Sequence, residues 1–312
     1  MIKSLIALLL FTPFFALGQT EGKLREDSLK RQYHELVIQY EKGTITFAQM
    51  PALINAAREL QQNDVARSVA QYYISAYLLQ TAGTALYEPV NIAIIHDFND
   101  TSGNKLFRMF YEDQHKIDQV MELPGYAQSH VDFVIAKEEI DPLLRKELTS
   151  GGNHPDWKFM ETVIKQKYNS EYAMRTITGA QLRWYEYKKD TLNLIRYNLQ
   201  RIDRYGIDTL GFQKMALNNF IYYFIFRHVT DKTILMKAAG WMELLVRSEP
   251  GNAAFMDTYA NVLYKLGRRQ EALAWQKRSL TLAPNDKEIL LALSRMNANE
   301  PTWPVPDSAA NK

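Results

Sequence analysis

Six histidines, several close-set carboxylates and no cysteine are what this chain offers for chemistry. A zinc-binding helix needs two histidines four residues apart, with a glutamate after the first. His34 is followed by Glu35, but Ile38 stands where the second histidine belongs. His96, His115, His130, His154 and His228 show no ligand spacing. His130 and Asp132, two apart, fall on different faces of a helix. Asp97, Asn99 and Thr101 start like a calcium loop, but Ser102 replaces its obligatory glycine and Arg108 its bidentate glutamate. Ser129, Ser150 and Ser170 lack a nucleophile-elbow context, and no glycine-rich phosphate loop occurs. Glu138, Glu139 and Asp141 could do acid–base work if one were buried, and read instead as a hydrated helix end. Absence of cysteine removes disulfides, thiolate metal sites and thiol nucleophiles. The expectation is a non-enzymatic chain with no catalytic residues, no metal and no cofactor.

The 312 residues are 46% apolar, enough for a continuous core. A formal net charge of +2 gives no electrostatic footprint for nucleic acid or anionic lipid. At the N-terminus Lys3 precedes an apolar run from Leu5 to Leu17, and Ala16 and Gly18 are the small residues before a cut at Gln19. Residues 1–18 therefore read as a secretory signal peptide, too short in its apolar part to span a bilayer comfortably. This predicts export through an inner membrane, a periplasmic location, and no membrane insertion after cleavage.

Helical periodicity dominates the remainder. An N-terminal helical region covers 19–150, with helices expected at 24–42, 51–62, 65–81, 88–98, 104–121, 126–137 and 142–148. At 88–98, Val90, Ile92, Ile94 and Ile95 would also suit a strand, but Glu88-Pro89 is a helix start and no partner strand exists. The loop-like run from Ser150 to Pro155 marks a boundary. The C-terminal helical region, 151–298, holds helices at 155–168, 171–188, 191–205 and 209–228, the last capped by Asp208. From Asn299 to Lys312 the chain is polar and proline-rich and reads as a disordered tail.

A 34-residue spacing relates Ala238, Trp241 and Pro250 to Ala272, Trp275 and Pro284. One hairpin of that length cannot hide its apolar face alone and must stack on neighbours. Residues 253–286 resemble a tetratricopeptide repeat along their full length. Tyr259 and Ala260, Leu263, Gly267, Ala272 and Pro284 fall where that family has its large–small pair, its leucine, its turn glycine, its small crossing residue and its terminal proline. Residues 219–252 match more loosely, with Phe226 at a small-residue position and Thr233 at the turn, and 287–298 supply a capping helix. The resemblance implies an all-α, tetratricopeptide-like solenoid of helical hairpins. The region 104–285 is also similar to the helical portion of secreted bacterial thioredoxin-like proteins, through Asp156-Trp157, Tyr185 with Lys188-Lys189-Asp190, and the run from Asp257 to Gly267. That family's paired cysteines have no counterpart here, so its redox chemistry does not carry over.

In a tetratricopeptide stack the first helices line a concave groove. The corresponding positions here are Phe220, Tyr223, Arg227, Asp257, Asn261, Tyr264, Leu291 and Arg295. Aromatic faces beside polar groups suit an extended peptide or a docked helix. The subclass that clamps a C-terminal carboxylate uses a lysine where Asp257 stands, so that mode is excluded. Three functions are expected from these features. The first is an exported scaffold that binds a protein or peptide partner in the cell envelope. The second is an accessory module acting in trans on a thioredoxin-like thiol–disulfide system. The third is a homo-oligomer with the groove packed on another copy.

Overall fold

Every regular element among the described residues is helical. The computed structural model describes residues 12–152, 154–207 and 213–305, with side chains from residue 24 onward. The start of the expected signal peptide, the Asp208 cap and the tail beyond Val305 lie outside the described residues. The chain forms two compact units, Met1–Ile177 and Thr178–Lys312.

The first unit contains α1 (Thr12–Glu41), α2 (Met50–Glu59), α3 (Asn63–Tyr73), α4 (Pro89–Phe98), α5 (Lys105–Glu112), α6 (Gln114–Met121), α7 (Tyr126–Ile135), α8 (Asp141–Thr149), α9 (Trp157–Lys167) and the start of α10 (Ser170–Tyr187). Pro89 opens α4, where its fixed φ and missing N–H cost nothing, and this decides helix over strand for the Ile-rich segment. Ile92, Ile94 and Ile95 are all buried, which explains a run too apolar for an amphipathic pattern. The single helix expected over 104–121 is two helices. Asn104 caps α5 by accepting from the N–H groups of Leu106 and Phe107 at 3.0 and 3.1 Å. Asp113 leaves helical geometry between α5 and α6, and its carboxylate accepts from the Tyr87 hydroxyl.

The second unit contains the rest of α10, then α11 (Thr191–Tyr205), α12 (Gln213–Phe220), α13 (Lys232–Ser248), α14 (Ala253–Lys265), α15 (Arg269–Leu282) and α16 (Lys287–Ala298). Asp190, Asp231, Asn252 and Asp286 cap α11, α13, α14 and α16 by accepting first-turn N–H groups. Gly206 ends α11 at φ +78°, a conformation that side chains rarely adopt. Gly267 at φ +85° turns α14 into α15, and Ala260 and Ala272, both wholly buried, line the crossing. Tyr259 meets Trp275 with ring centroids 5.4 Å apart.

α14 buries nine consecutive residues, Phe255 to Leu263, so it has no solvent face along that length. Such a helix must be enclosed on all sides. α13, α15, α16 and a π-helical turn at Ile221–Phe226 all pack against it.

The helix expected over 209–228 is helical from Gln213 to His228 and passes from α12 through that π-turn. A π-turn inserts one extra residue and rotates the residues before it by about 100° relative to those after it. Past Asn299 the described residues continue as far as Val305. Trp303 packs on Phe226 and Tyr264, with centroids 6.4 and 6.1 Å away, and the Lys265 ammonium lies 5.4 Å from its ring. One tryptophan offers enough apolar area to hold the segment down.

Candidate functional site

The second unit carries an open cavity of about 790 Å³. The N-terminal turns of α14 and α16 form part of its wall, α12 and the π-turn another part. Asn218, Tyr222, Tyr223, Asp257, Asp286 and Glu288 are its principal polar residues.

Asp257 is the central group. It stands one turn into α14, only 8% exposed, and accepts from the Gln276 amide on α15. Burial raises its pKa to about 6, against the hydrogen bond from Gln276, and Asp286 and Glu288 push the same way as burial. Asn261, one turn further on, is 2% exposed and donates to the Asp257 carbonyl at 2.9 Å. Tyr222 and Tyr223 meet edge to face at 5.1 Å. Burial raises the Tyr222 pKa to about 12, so its hydroxyl stays protonated.

The expected groove residues do not stay together. Tyr223, 49% exposed, and Asp257 line this cavity. Arg227 lies beside it, its guanidinium 6.0 Å from the Tyr223 ring. Asn261 is buried behind Asp257 and faces no solvent. Phe220 lines a different cavity, with Leu194, Ile202 and Phe224. Phe224 lies inside the π-turn and lines that second cavity as well, whereas Asn218, before the turn, lines the first. Tyr264 is covered by Trp303. Leu291 is exposed on α16 and Arg295 is half-buried there. Asn218, Tyr222 and Asp286 were not legible as site residues. Tyr222 falls where the repeat template does not line the groove, and Asp286 is only the last residue of the repeat.

In the first unit the structure joins residues that spacing kept apart. His96 Nδ1 lies 2.8 Å from Asp97 Oδ1, and its Nε2 lies 3.2 Å from Ser129 Oγ. Arg58 pairs with the other Asp97 oxygen at 2.6 Å. A serine–histidine–aspartate chain is the pattern of an activated nucleophile. Here the Ser129 hydroxyl donates to the Tyr126 carbonyl at 2.7 Å, its shorter contact, so its proton is held by a backbone acceptor rather than by the imidazole. Behind it His130 is 1% exposed, with Nδ1 3.0 Å from the His96 carbonyl. Burial and the neighbouring His96 lower its pKa to about 4, so it is neutral at pH 7.

Glu138 is not the hydrated helix end that its neighbourhood suggested. It accepts from Thr101 Oγ1 at 3.1 Å, from Ser102 N at 2.8 Å and from Ser102 Oγ, and so clasps the 99–104 turn. Burial opposes ionisation, but the three donors and Lys167 outweigh it and lower the pKa. A carboxylate held low and fully engaged is a staple, not a general acid. Glu138→Ala is expected to destabilise the protein by about 2 kcal/mol, the scale of hydrogen bonds to a charged group. Urea unfolding measures this, and an unchanged midpoint would show the turn holding itself.

No protein-family model matches the chain, and no curated protein matches it. Among the described residues no helix is long and apolar enough to cross a membrane, and no group of three or more metal-ligating side chains occurs. The class these observations define is an all-α protein of packed helices with a polar cavity in its C-terminal unit.

Proposed function

We propose that this chain is an exported, non-enzymatic helical-repeat scaffold whose C-terminal cavity holds a segment of a partner protein. The observation that carries this is the cavity itself: it opens among the first turns of α14 and α16 and the π-turn, and presents two tyrosines beside a buried carboxylate. In a tetratricopeptide-like stack, that is where first helices would face the concave side. The 34-residue spacing, the close crossing at Ala260 and Ala272 and the positive-φ Gly267 support the repeat reading. Aromatic groups around desolvated polar groups are the usual composition of a binding hot spot.

A photo-crosslinking amino acid at position 223 tests this in the native cells. It is expected to trap one or a few defined proteins. The same group at Tyr187, 69% exposed and outside the cavity, should not trap them. Identical yields from both positions would leave the cavity without a partner, and turnover of a small molecule by the purified protein would overturn the scaffold reading.

A further inference from the structure

At and behind the cavity wall lie buried acceptors that no protein donor meets. Asn218 lines it at 5% exposure, and its Oδ1 has no protein partner. Directly behind Asp257, Asn261 Oδ1 and Gln276 Oε1 are likewise buried without a protein partner. All three orphaned atoms are carbonyl oxygens, and a buried acceptor left unmatched is costly. Among the lining residues are four carboxylates, Glu249, Asp257, Asp286 and Glu288, and no lysine or arginine.

Two helix ends oppose a negative cavity. The N-termini of α14 and α16 both reach its wall, and each carries about half a positive charge. Part of each first turn is already engaged: Asn252 accepts from Phe255 N at 3.2 Å, and Asp286 accepts from Glu288 N and Ile289 N at 2.9 and 3.2 Å. Lys214 neutralises Glu249 at 2.9 Å. Three carboxylates without a salt-bridge partner, against two half charges and the Arg227 guanidinium beside the cavity, leave a balance of roughly −1. The carboxylates win, and an anionic ligand is disfavoured by charge.

We propose that this cavity takes the cationic side chain of a basic segment in an extended partner peptide, with Asp257 and Glu288 as counter-charges, Asn218 Oδ1 as an acceptor and the Tyr222–Tyr223 pair as the aromatic wall. The inference rests on the cavity being a protein-binding groove and adds the chemistry of what enters it. A guanidinium or ammonium has only donors and no acceptor, which matches orphaned carbonyl oxygens. The same cations are attracted to tyrosine faces. About 790 Å³ admits one long side chain together with its flanking main chain.

An array of N-acetylated, C-amidated peptides tests the assignment, with Arg, Lys, Gln or Glu at the centre between randomised neighbours. The purified protein is expected to retain peptides with Arg or Lys centres at least tenfold more strongly than those with Gln, and to lose them as salt rises from 50 to 500 mM. Asp257→Asn and, separately, the exposed Glu288→Gln should each weaken retention at least threefold, with circular dichroism showing the fold intact. Equal retention of Gln-centred peptides, or a preference for Glu, overturns the cation assignment and leaves the groove standing. Retention of no peptide at all overturns both readings.

Discussion

Asp257→Asn is expected to stabilise the C-terminal unit by about 3 kcal/mol at pH 7.5 and to change it little at pH 4. The folded-state pKa of Asp257 is raised from 3.8 to about 6, and each tenfold weakening of the acid corresponds to about 1.4 kcal/mol. The sign follows from proton binding. Between pH 4 and 6 the folded carboxyl keeps a proton that the unfolded one has released, so stability falls as pH rises through this window. The asparagine never ionises and escapes that loss. It can still accept from Gln276, which keeps the buried amide satisfied. The groups facing Asp257 are uncharged or acidic: Gln276 from α15, Asn261 on its own helix, Asp286 and Glu288 from the start of α16, and Tyr222 from the π-turn. From α13, Glu243 and Arg247 act on Tyr259, two residues along and on another face. No cation opposes the shift. The measurement is the difference in urea midpoint between variant and wild type at the two pH values. Taking the difference matters, because His130 in the first unit acts the other way. Its pKa is lowered to about 4, so its contribution is present above pH 6.5 and lost as pH falls through 4. A variant equally stable at both pH values would mean that Asp257 is solvated.

Under the proposed cation binding, stability and binding pull apart at this aspartate, and the variant that folds best is expected to bind worst. A surface aspartate would show neither effect.

Much of the helical layout was legible because local signals agree with the packing. Pro89 starts α4, Gly206 ends α11 and Gly267 turns α14 into α15, each at a residue type that marks a boundary. The features that escaped depend on partners far away in sequence. Asp113 breaks a helix with its carboxylate held by Tyr87, twenty-six residues earlier. The π-turn at Ile221–Phe226 carries no sequence mark beyond its aromatic crowding. Asp257 and Asn261 occupy positions that a repeat template leaves facing outward. α14 is enclosed on every side, so both are buried, and Asn261 supports the site from behind. The ring contacts of Trp303 with Phe226 and Tyr264 likewise join residues far apart in sequence.

Ala272→Trp is expected to destabilise the C-terminal unit by about 3 kcal/mol or more, which is the upper range for overpacking a filled core. Ala272 is wholly buried on α15 and Ala260 is wholly buried on α14 at the same crossing. Small residues there let two backbones approach closely. An indole at position 272 has to push α15 away from α14, and α14 has no free side toward which to yield, because α13, α16 and the π-turn already enclose it. The displacement would also separate Gln276 from Asp257, one turn along α15, so the site should loosen together with the core. Leu282→Trp on the same helix is the control. Leu282 is 48% exposed, and an exposed exchange of this kind changes stability by about 0.5 kcal/mol or less. Thermal and urea unfolding of the two variants side by side separate a filled crossing from a general intolerance of tryptophan. If Ala272→Trp unfolds with the wild-type midpoint, α14 and α15 do not pack at that crossing, and the repeat alignment that places Ala260 against Ala272 is out of register.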